Sequence, residues 1–543
     1  MNKRIIAGLT LGLGIVATVG VGSYLRMPKN DINTGHKDVF RTSMQLPIET
    51  ADPARYSSLD TSNVISATGV GLYTTDASGK SVPAMAAHNP VVSHHGRDYT
   101  FKLQSDYRWS DGSHVTAADY VYAWQRAVDP RSHARNASRL DIFENAAEIR
   151  NGTMSPQKLA VSAPDDYTLR FKLTAPEPYI KDYLAATIFQ PVNHTFGQRE
   201  GYAYGSSSSK VLNNGPYVLA DWHGPSDKQW VLKRNRYYPK RSTIKMRQIR
   251  FKVMNHKEAL AKYQDHQLDT AMLTPAELPR FKGNRDLHSI RTESSAYLFF
   301  NMRSGPTANV YVRRAIATGY DKRLLTLSKI ADGSEPLNGL IPSGLVHTAR
   351  GEDYRTVTGE LMRYDPDYAG KQWAIAQKEL GHQKITLTLN IADNPVAITT
   401  AKFMKGQLEH NLPGLTLNVN KTSLQQRIQL ETTNKFQIVF ATWTPFGGDP
   451  VSYLKFAQSA NVQNVSGYNN STYDKYYAEI AMKYAGQPAK RLPLIQRAER
   501  MVVSQDAPFA PVMQLGTSYL MRPGLGTLPI QPNGAINYTA IKP

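Results

Sequence analysis

The sequence predicts a mixed α/β protein built of two or three lobes. Its 543 residues exceed the roughly 250–300 at which a single hydrophobic core stops growing. Apolar residues recur with period two in some segments and at helical spacing in others, and the two patterns alternate along the chain. No self-similarity appears at periods of about 20 to 50 residues, which sets aside solenoids and propellers. With 41% of residues apolar and 10% aromatic, the chain has the material for packed cores.

Taken in order, the first element is a hydrophobic segment. Lys3 and Arg4 precede Ile5 to Leu25, 21 residues (25 − 5 + 1) without a charge. At about 1.5 Å per residue, a helix of that length spans a hydrocarbon core of ~30 Å. Residues 1–26 therefore read as a signal peptide or N-terminal membrane anchor, with everything after Arg26 outside the cell. Gly20, Gly22 and Ser23 are small enough for a signal peptidase but form no Ala-x-Ala site, so retention and cleavage both stay open. Residues 27–40 are polar and without pattern, as a linker is.

Tyr99 to Leu103 alternates apolar and polar residues, as a strand does, and Asp111-Gly112 follows as a turn. Thr116 then caps a helix with Asp119 three residues on, and Tyr120, Val121, Trp124, Ala127 and Val128 form its apolar face before Asp129-Pro130 ends it. A second strand covers Tyr167 to Leu173. Asn214-Gly215-Pro216-Tyr217 is a turn leading to strands near Val218 and at Trp230 to Leu232. In the second half, strands are expected at Tyr297–Phe300, Ile385–Ile391, Leu415–Val419 and Phe436–Ala441. Helices are expected at Val310–Thr318, Lys371–Leu380 and Ala401–Leu408.

The formal charge is +20, which draws a protein toward anionic surfaces. Basic residues are nevertheless scattered, with no run of five, so the charge reads as a solvated surface and not as a nucleic-acid patch. The absence of cysteine excludes disulfides, thiol catalysis, thiolate metal sites and a lipidated N-terminal cysteine. Enzyme motifs fail on a required residue. Gly79-Lys80-Ser81 ends like a phosphate loop but has Thr74 where the leading glycine belongs. His94-His95 has no third ligand at metal spacing, and Ser206 to Ser209 lacks the nucleophile elbow. Neither a catalytic residue, a metal site nor a cofactor is assigned. The 30 tyrosines and 6 tryptophans favour binding, because amphipathic rings hold varied ligands while hydrogen-bonding at their edges.

Several of these segments, in order, resemble the oligopeptide-binding branch of the family 5 solute-binding proteins of ABC importers. The strongest stretch is Tyr99 to Pro130, with Trp109-Ser110-Asp111-Gly112, Val115-Thr116-Ala117-Ala118-Asp119 and Trp124 to Pro130. Further matches are Asn214-Gly215-Pro216-Tyr217 with Trp222, Asn301 with Val312-Arg313-Arg314-Ala315 and Asp321, Trp443 with Asp449-Pro450, Gly467-Tyr468, Tyr473-Asp474 and Asp506-Ala507-Pro508. The resemblance implies a periplasmic-binding-protein-like α/β fold with two hinged jaws and an extra lobe. On this chain lobe I would comprise 41–69, 191–298 and 515–543, lobe II 70–190 and lobe III 299–514.

It further implies a monomer that captures oligopeptides at the extracellular face of the membrane and passes them to ABC permease subunits, without catalysis and without nucleic acid. Such proteins pair the peptide backbone as an added β-strand and leave hydrated pockets for any side chain. By position, the strand-like partners are Ser57-Ser58-Leu59 and Ala441-Thr442-Trp443, with Phe446 and Asp449 beside them. Relatives carry an aspartate for the peptide α-ammonium three residues after the tryptophan; here Phe446 stands there, and Phe440 stands where some relatives have a basic residue. The amine is then expected in water or against Asp449, or the natural ligand is blocked. On that reading N-acetylation of a bound peptide weakens affinity by less than about tenfold. The alternatives are a receptor for one hydrophobic signalling peptide or non-peptide ligand on the same scaffold, and an extracellular hydrolase.

Overall fold

The computed structural model describes residues 38–76, 79–177, 179–348, 350–445, 449–461, 463–485 and 487–542. The segment 1–26, and with it the anchor or signal peptide, lies outside the described residues, as does all but the end of the 27–40 linker. Among the described residues no helix is long and apolar enough to cross a membrane.

Strand β1 (Val39–Met44) is the first element among the described residues and helix α1 (Leu59–Thr68) follows. A small hairpin, β2 (Tyr73–Thr75) and β3 (Ser81–Pro83), leads into four antiparallel strands: β4 (Val91–Ser93), β5 (Asp98–Lys102), β6 (Val161–Asp165) and β7 (Thr168–Lys172), in the order β4-β5-β7-β6. Helix α2 (Ala117–Val128) packs on this sheet through Trp124, which stacks on Phe143 at 4.8 Å and meets Phe171 edge-on at 5.8 Å. Its cap shows why the motif residues are what they are. The Asp119 carboxylate is buried and accepts from the Thr116 N–H, from Trp109 Nε1 and from the His194 N–H, at 2.8–3.0 Å. One carboxylate thereby joins the Trp-Ser-Asp-Gly turn, the helix start and the segment at His194.

Helix α3 (Ile180–Ala185) precedes a second sheet made of β1 with β8 (Tyr217–Ala220), β9 (Gln229–Arg234) and β10 (Gln248–Val253), ordered β1-β10-β9-β8 with β1 parallel to β10. The Asn214-Gly215 turn seats this sheet against the end of α1. The Asn214 side chain accepts from the Val70 N–H and donates to the Val70 carbonyl, each at 2.9 Å, while the Gly215 N–H donates to the Thr68 carbonyl. A Cβ at Gly215 would lie 2.6 Å from Thr68 C, so only glycine permits this approach.

The third large sheet runs in the order β11-β17-β12-β16-β14-β15: β11 (Thr270–Leu273), β12 (Leu287–Phe300), β14 (Ile385–Ala392), β15 (Leu415–Thr422), β16 (Ile438–Trp443) and β17 (Phe509–Met521), with short β13 (Glu335–Pro336) beside β17. Helices α4 (Val310–Thr318), α5 (Pro366–Leu380), α6 (Pro395–Asn411), α7 (Leu424–Thr432) and α8 (Pro488–Arg500) surround its second half. Helices α5 and α6 start several residues before the expected positions. Asp365 and Asn394 cap them and proline occupies the first turn, where its missing N–H is no loss. Strand β12 is far longer than expected, because its polar first half, Leu287 to Arg291, is paired with β17.

Two large hydrophobic cores result. One gathers residues from Phe40 to Phe251 with Tyr519 to Ile541 of the C-terminal tail, and the other takes residues from Ala296 to Met513. The long strands β12 and β17 belong to both regions. Their pairing lapses between Arg291 and Ser295, where the register shifts, and resumes beyond.

Candidate functional site

Between the two cores lies a cavity of about 920 Å³. Helix α1 and its lead-in form one wall, α3 and the β2–β3 hairpin another, the tail around Asn533 a third, and Leu345, His347, Thr444 and Pro445 the side of the second core. The lining is dominated by hydroxyl and amide side chains. Ser62 and Ser66 of α1 both reach Thr187 Oγ1, at 2.9 and 3.0 Å, so this wall is a polar ladder and not an apolar groove.

Ser57, Ser58 and Leu59 line this cavity. They are not a strand, as the sequence reading had them, but the extended lead-in and first residue of α1. Ser58 is the N-cap, with φ −105° and ψ 152°, and its hydroxyl accepts from the Thr61 N–H at 3.2 Å. The physical reason is the Glu49 carboxylate, which collects the N–H and hydroxyl groups of both serines. Those hydrogen bonds hold its pKa below the ordinary value although burial pushes the other way.

Ala441, Thr442 and Trp443 lie on β16. Strand β14 pairs with β16 only at Ile438 and Val439, whereas β12 follows it as far as Trp443. From Phe440 onward one edge of β16 therefore has no partner strand among the described residues. Ala441 and Thr442 face a second cavity of about 480 Å³, with Asn394, Arg427 and Gly516 in its wall. Trp443 stands edge-on to Phe456 at 5.0 Å under the Lys455 ammonium, 4.7 Å from the ring centre. Its buried Nε1 has no acceptor among the described residues.

Phe446 lies outside the described residues. Asp449 is engaged on its own account: Arg491 of α8 donates to both its oxygens, at 2.6 and 2.7 Å, and Arg491 Nη1 also donates to the Tyr179 hydroxyl just before α3, at 2.9 Å. Asp449 is thus part of a bridge between the two halves of the molecule. The Ser57 group lines the large cavity, Ala441 and Thr442 line the second one, and Asp449 lines neither, so the structure does not bring these residues into one cavity.

Sequence reasoning missed Glu293 and Asp182. Glu293 lies in the stretch where β12 and β17 lose register; its backbone N–H donates to the Pro532 carbonyl and its carbonyl accepts from the Tyr453 hydroxyl, both at 2.6 Å. Its side chain lines the large cavity, and burial, then the charge of Asp182, push its carboxyl up to about 7. No spacing rule finds such a residue, since its neighbours Asp182, Tyr453 and Pro532 come from three separated segments. Among the described residues no group of three or more His, Cys, Asp or Glu is placed to hold a metal ion.

An open-edged strand and a roomy polar cavity between two α/β bodies joined by shared strands are the parts of an extracellular solute-binding protein. The family model for bacterial extracellular solute-binding proteins, family 5, matches residues 80–464, and the chain belongs to that family. It is 28% identical over 456 residues to the dipeptide-binding protein of Lactococcus lactis, covering 80% of this chain and 82% of that protein. It is 26% identical over 540 residues to the periplasmic murein peptide-binding protein MppA of Escherichia coli, covering 97% and 96%. Among solved structures, Listeria monocytogenes OppA bound to peptide superposes with a TM-score of 0.78 at 31% identity, covering 93% of this chain and 99% of that one. The substrate-binding domain of an oligopeptide ABC transporter from Bacillus anthracis gives 0.79 at 29% identity over 93% and 99%.

Proposed function

We propose that the protein captures oligopeptides outside the cell and delivers them to the permease subunits of an ABC importer, as a non-catalytic monomer tethered or exported through residues 1–26. The observation that carries this is the unpaired edge of β16 from Phe440 to Trp443. An extended peptide laid there gains main-chain hydrogen bonds, which are indifferent to its side chains. Just beyond that edge, where Thr444 and Pro445 reach the large cavity, a wall of serines, threonines and asparagines suits hydrated, permissive pockets. Ala441, Thr442 and Trp443 would supply the pairing strand, and Ser57, Ser58 and Leu59 would contribute carbonyls and side chains, since Glu49 already takes the serine N–H groups. Asp449 holds Arg491 through both oxygens, and its remaining acceptor capacity would be what it offers a ligand.

The lobe division at 41–69, 191–298 and 515–543, at 70–190 and at 299–514 goes with this reading, the jaws moving about β12 and β17. A buried bidentate pair ties the first two: Arg126 of α2 donates to both oxygens of Asp52, at 2.5 and 2.8 Å. Native mass spectrometry of protein purified from cells tests the function. A ladder of peptide masses is expected; one discrete non-peptide mass, or turnover of added peptide, overturns it.

A further inference from the structure

The cations that the sequence scatters are gathered by the fold. Residues 228–252 hold ten Lys and Arg and no Asp or Glu, half of the formal +20. They lie on β9, on β10 and on the connection between them, in the sheet ordered β1-β10-β9-β8. Trp230, Leu232, Ile249 and Phe251 turn one face of that sheet into the core, so Lys233, Arg250 and Lys252 point the other way, into solvent. Where β9 passes into β10, Arg234, Arg236, Lys240, Arg241 and Lys245 are all exposed at one end of the sheet. The acids nearby are already paired: Asp38 with Arg247 at 2.9 Å, Asp221 with Lys233 at 3.2 Å and Asp269 with Arg41 at 2.6 Å. At the basic end Arg234, Arg241 and Lys245 donate to backbone carbonyls, which leave their charge in place. None of these cations lines the large cavity, so their charge is not directed at its ligand.

The chain also enters the fold at that end. The N–H groups of Arg247 and Gln248 donate to the Asp38 carbonyl, and Val39 stands opposite Gln248 in register. Twelve residues, 26–37, separate Asp38 from the uncharged segment Ile5 to Leu25. At about 3.3–3.6 Å per residue they span no more than ~43 Å when fully extended.

We propose that the basic end of this sheet rests on the anionic phospholipid headgroups of the membrane that holds residues 5–25, so that the protein is fixed at two points and oriented. The inference goes beyond peptide capture and rests on the anchor reading of residues 1–26. A polybasic patch is a second attachment of the kind that turns one weak anchor into a stable one, and each Lys or Arg is drawn to an anionic bilayer within a Debye length of about 8–10 Å. The lipid surface is the occupant because the tether emerges beside the patch and keeps it close to the bilayer.

The chain has no cysteine, so Ser242→Cys, in the exposed connection, carries a single donor dye. The full chain is reconstituted into vesicles of phosphatidylcholine, alone or with about 30% phosphatidylglycerol, each bearing a headgroup-linked acceptor. Energy transfer is expected to be at least about twofold higher on the anionic vesicles in dilute buffer, and the difference to vanish at about 0.5 M salt. Changing Lys240, Arg241 and Lys245 together to glutamine is expected to remove most of the difference, with circular dichroism melts showing that the variant is folded. Equal transfer on the two kinds of vesicle, a difference that survives high salt, or one undiminished in the triple variant overturns the proposal. So does its complete suppression by equimolar polyglycerol phosphate, which would make the face a polymer site. Flotation separates the anchor reading from this one: protein that leaves neutral vesicles but floats with anionic ones removes the anchor and supports the face, and protein that floats with neither removes both. Peptide capture stands apart from all of these outcomes.

Discussion

Replacing Glu293 by glutamine is expected to stabilise the empty protein at alkaline pH and to leave it nearly unchanged in acid. In the folded protein burial and Asp182 push the carboxyl from an ordinary 4.5 up to about 7. Below pH 4.5 the group is protonated in folded and unfolded chains alike and contributes nothing. Between 4.5 and about 7 the unfolded chain ionises while the folded one holds its proton, so folding loses stability as pH rises. Above 7 both are ionised and the full cost is present, about 3 kcal/mol at 1.36 kcal/mol per pKa unit. Glutamine keeps the shape and removes the charge, so the difference between variant and parent should grow from near zero at pH 4.5 to about 3 kcal/mol at pH 8. Urea denaturation at four or five pH values, with no peptide present, measures that difference. A difference that is flat with pH would refute the reasoning, because it would mean that the carboxylate is as well solvated folded as unfolded.

Asp52→Ala strands Arg126, whose side chain is 13% exposed, and should cost about 3–5 kcal/mol in chemical denaturation. Gly215→Ala drives a methyl against the Thr68 and Gly69 backbone at 2.6–2.7 Å and should cost about 1–3 kcal/mol, with a lowered melting temperature as the readout. Tyr179→Phe removes the hydrogen bond from Arg491 that spans the two halves; at about 1 kcal/mol it should weaken peptide affinity by about fivefold in calorimetry.

Much of this architecture was legible in the sequence where local and global signals agree. Helix α4 falls at Val310–Thr318 as read, and the Thr116–Asp119 cap is present because the same carboxylate also serves Trp109 and His194. The polar half of β12 was illegible for a physical reason. Leu287 to Arg291 gains its strand identity from pairing with β17, more than 200 residues away in sequence, and not from apolar alternation. Helix α1 escaped notice because it buries Thr61, Asn63 and Thr68 alongside Val64 and Ile65, so its inner face does not look apolar. The candidate site was less legible. The β16 residues were reached only through the resemblance, the free edge depends on where β14 turns away, and Glu293 and Asp182 come to line one cavity only in three dimensions.

The lapse in pairing at Thr292–Ser294 also decides what joins the two bodies at that point. Three residues of β12 stand against the single Leu515 of β17, a bulge that bends the ribbon, and side chains close it: Thr292 Oγ1 donates to the Leu515 carbonyl and Gln514 Nε2 to the Thr292 carbonyl. The joint is thus held by side chains where the backbone ladder stops, and Glu293 adds two further ties from its own backbone, its N–H to the Pro532 carbonyl and its carbonyl to the Tyr453 hydroxyl.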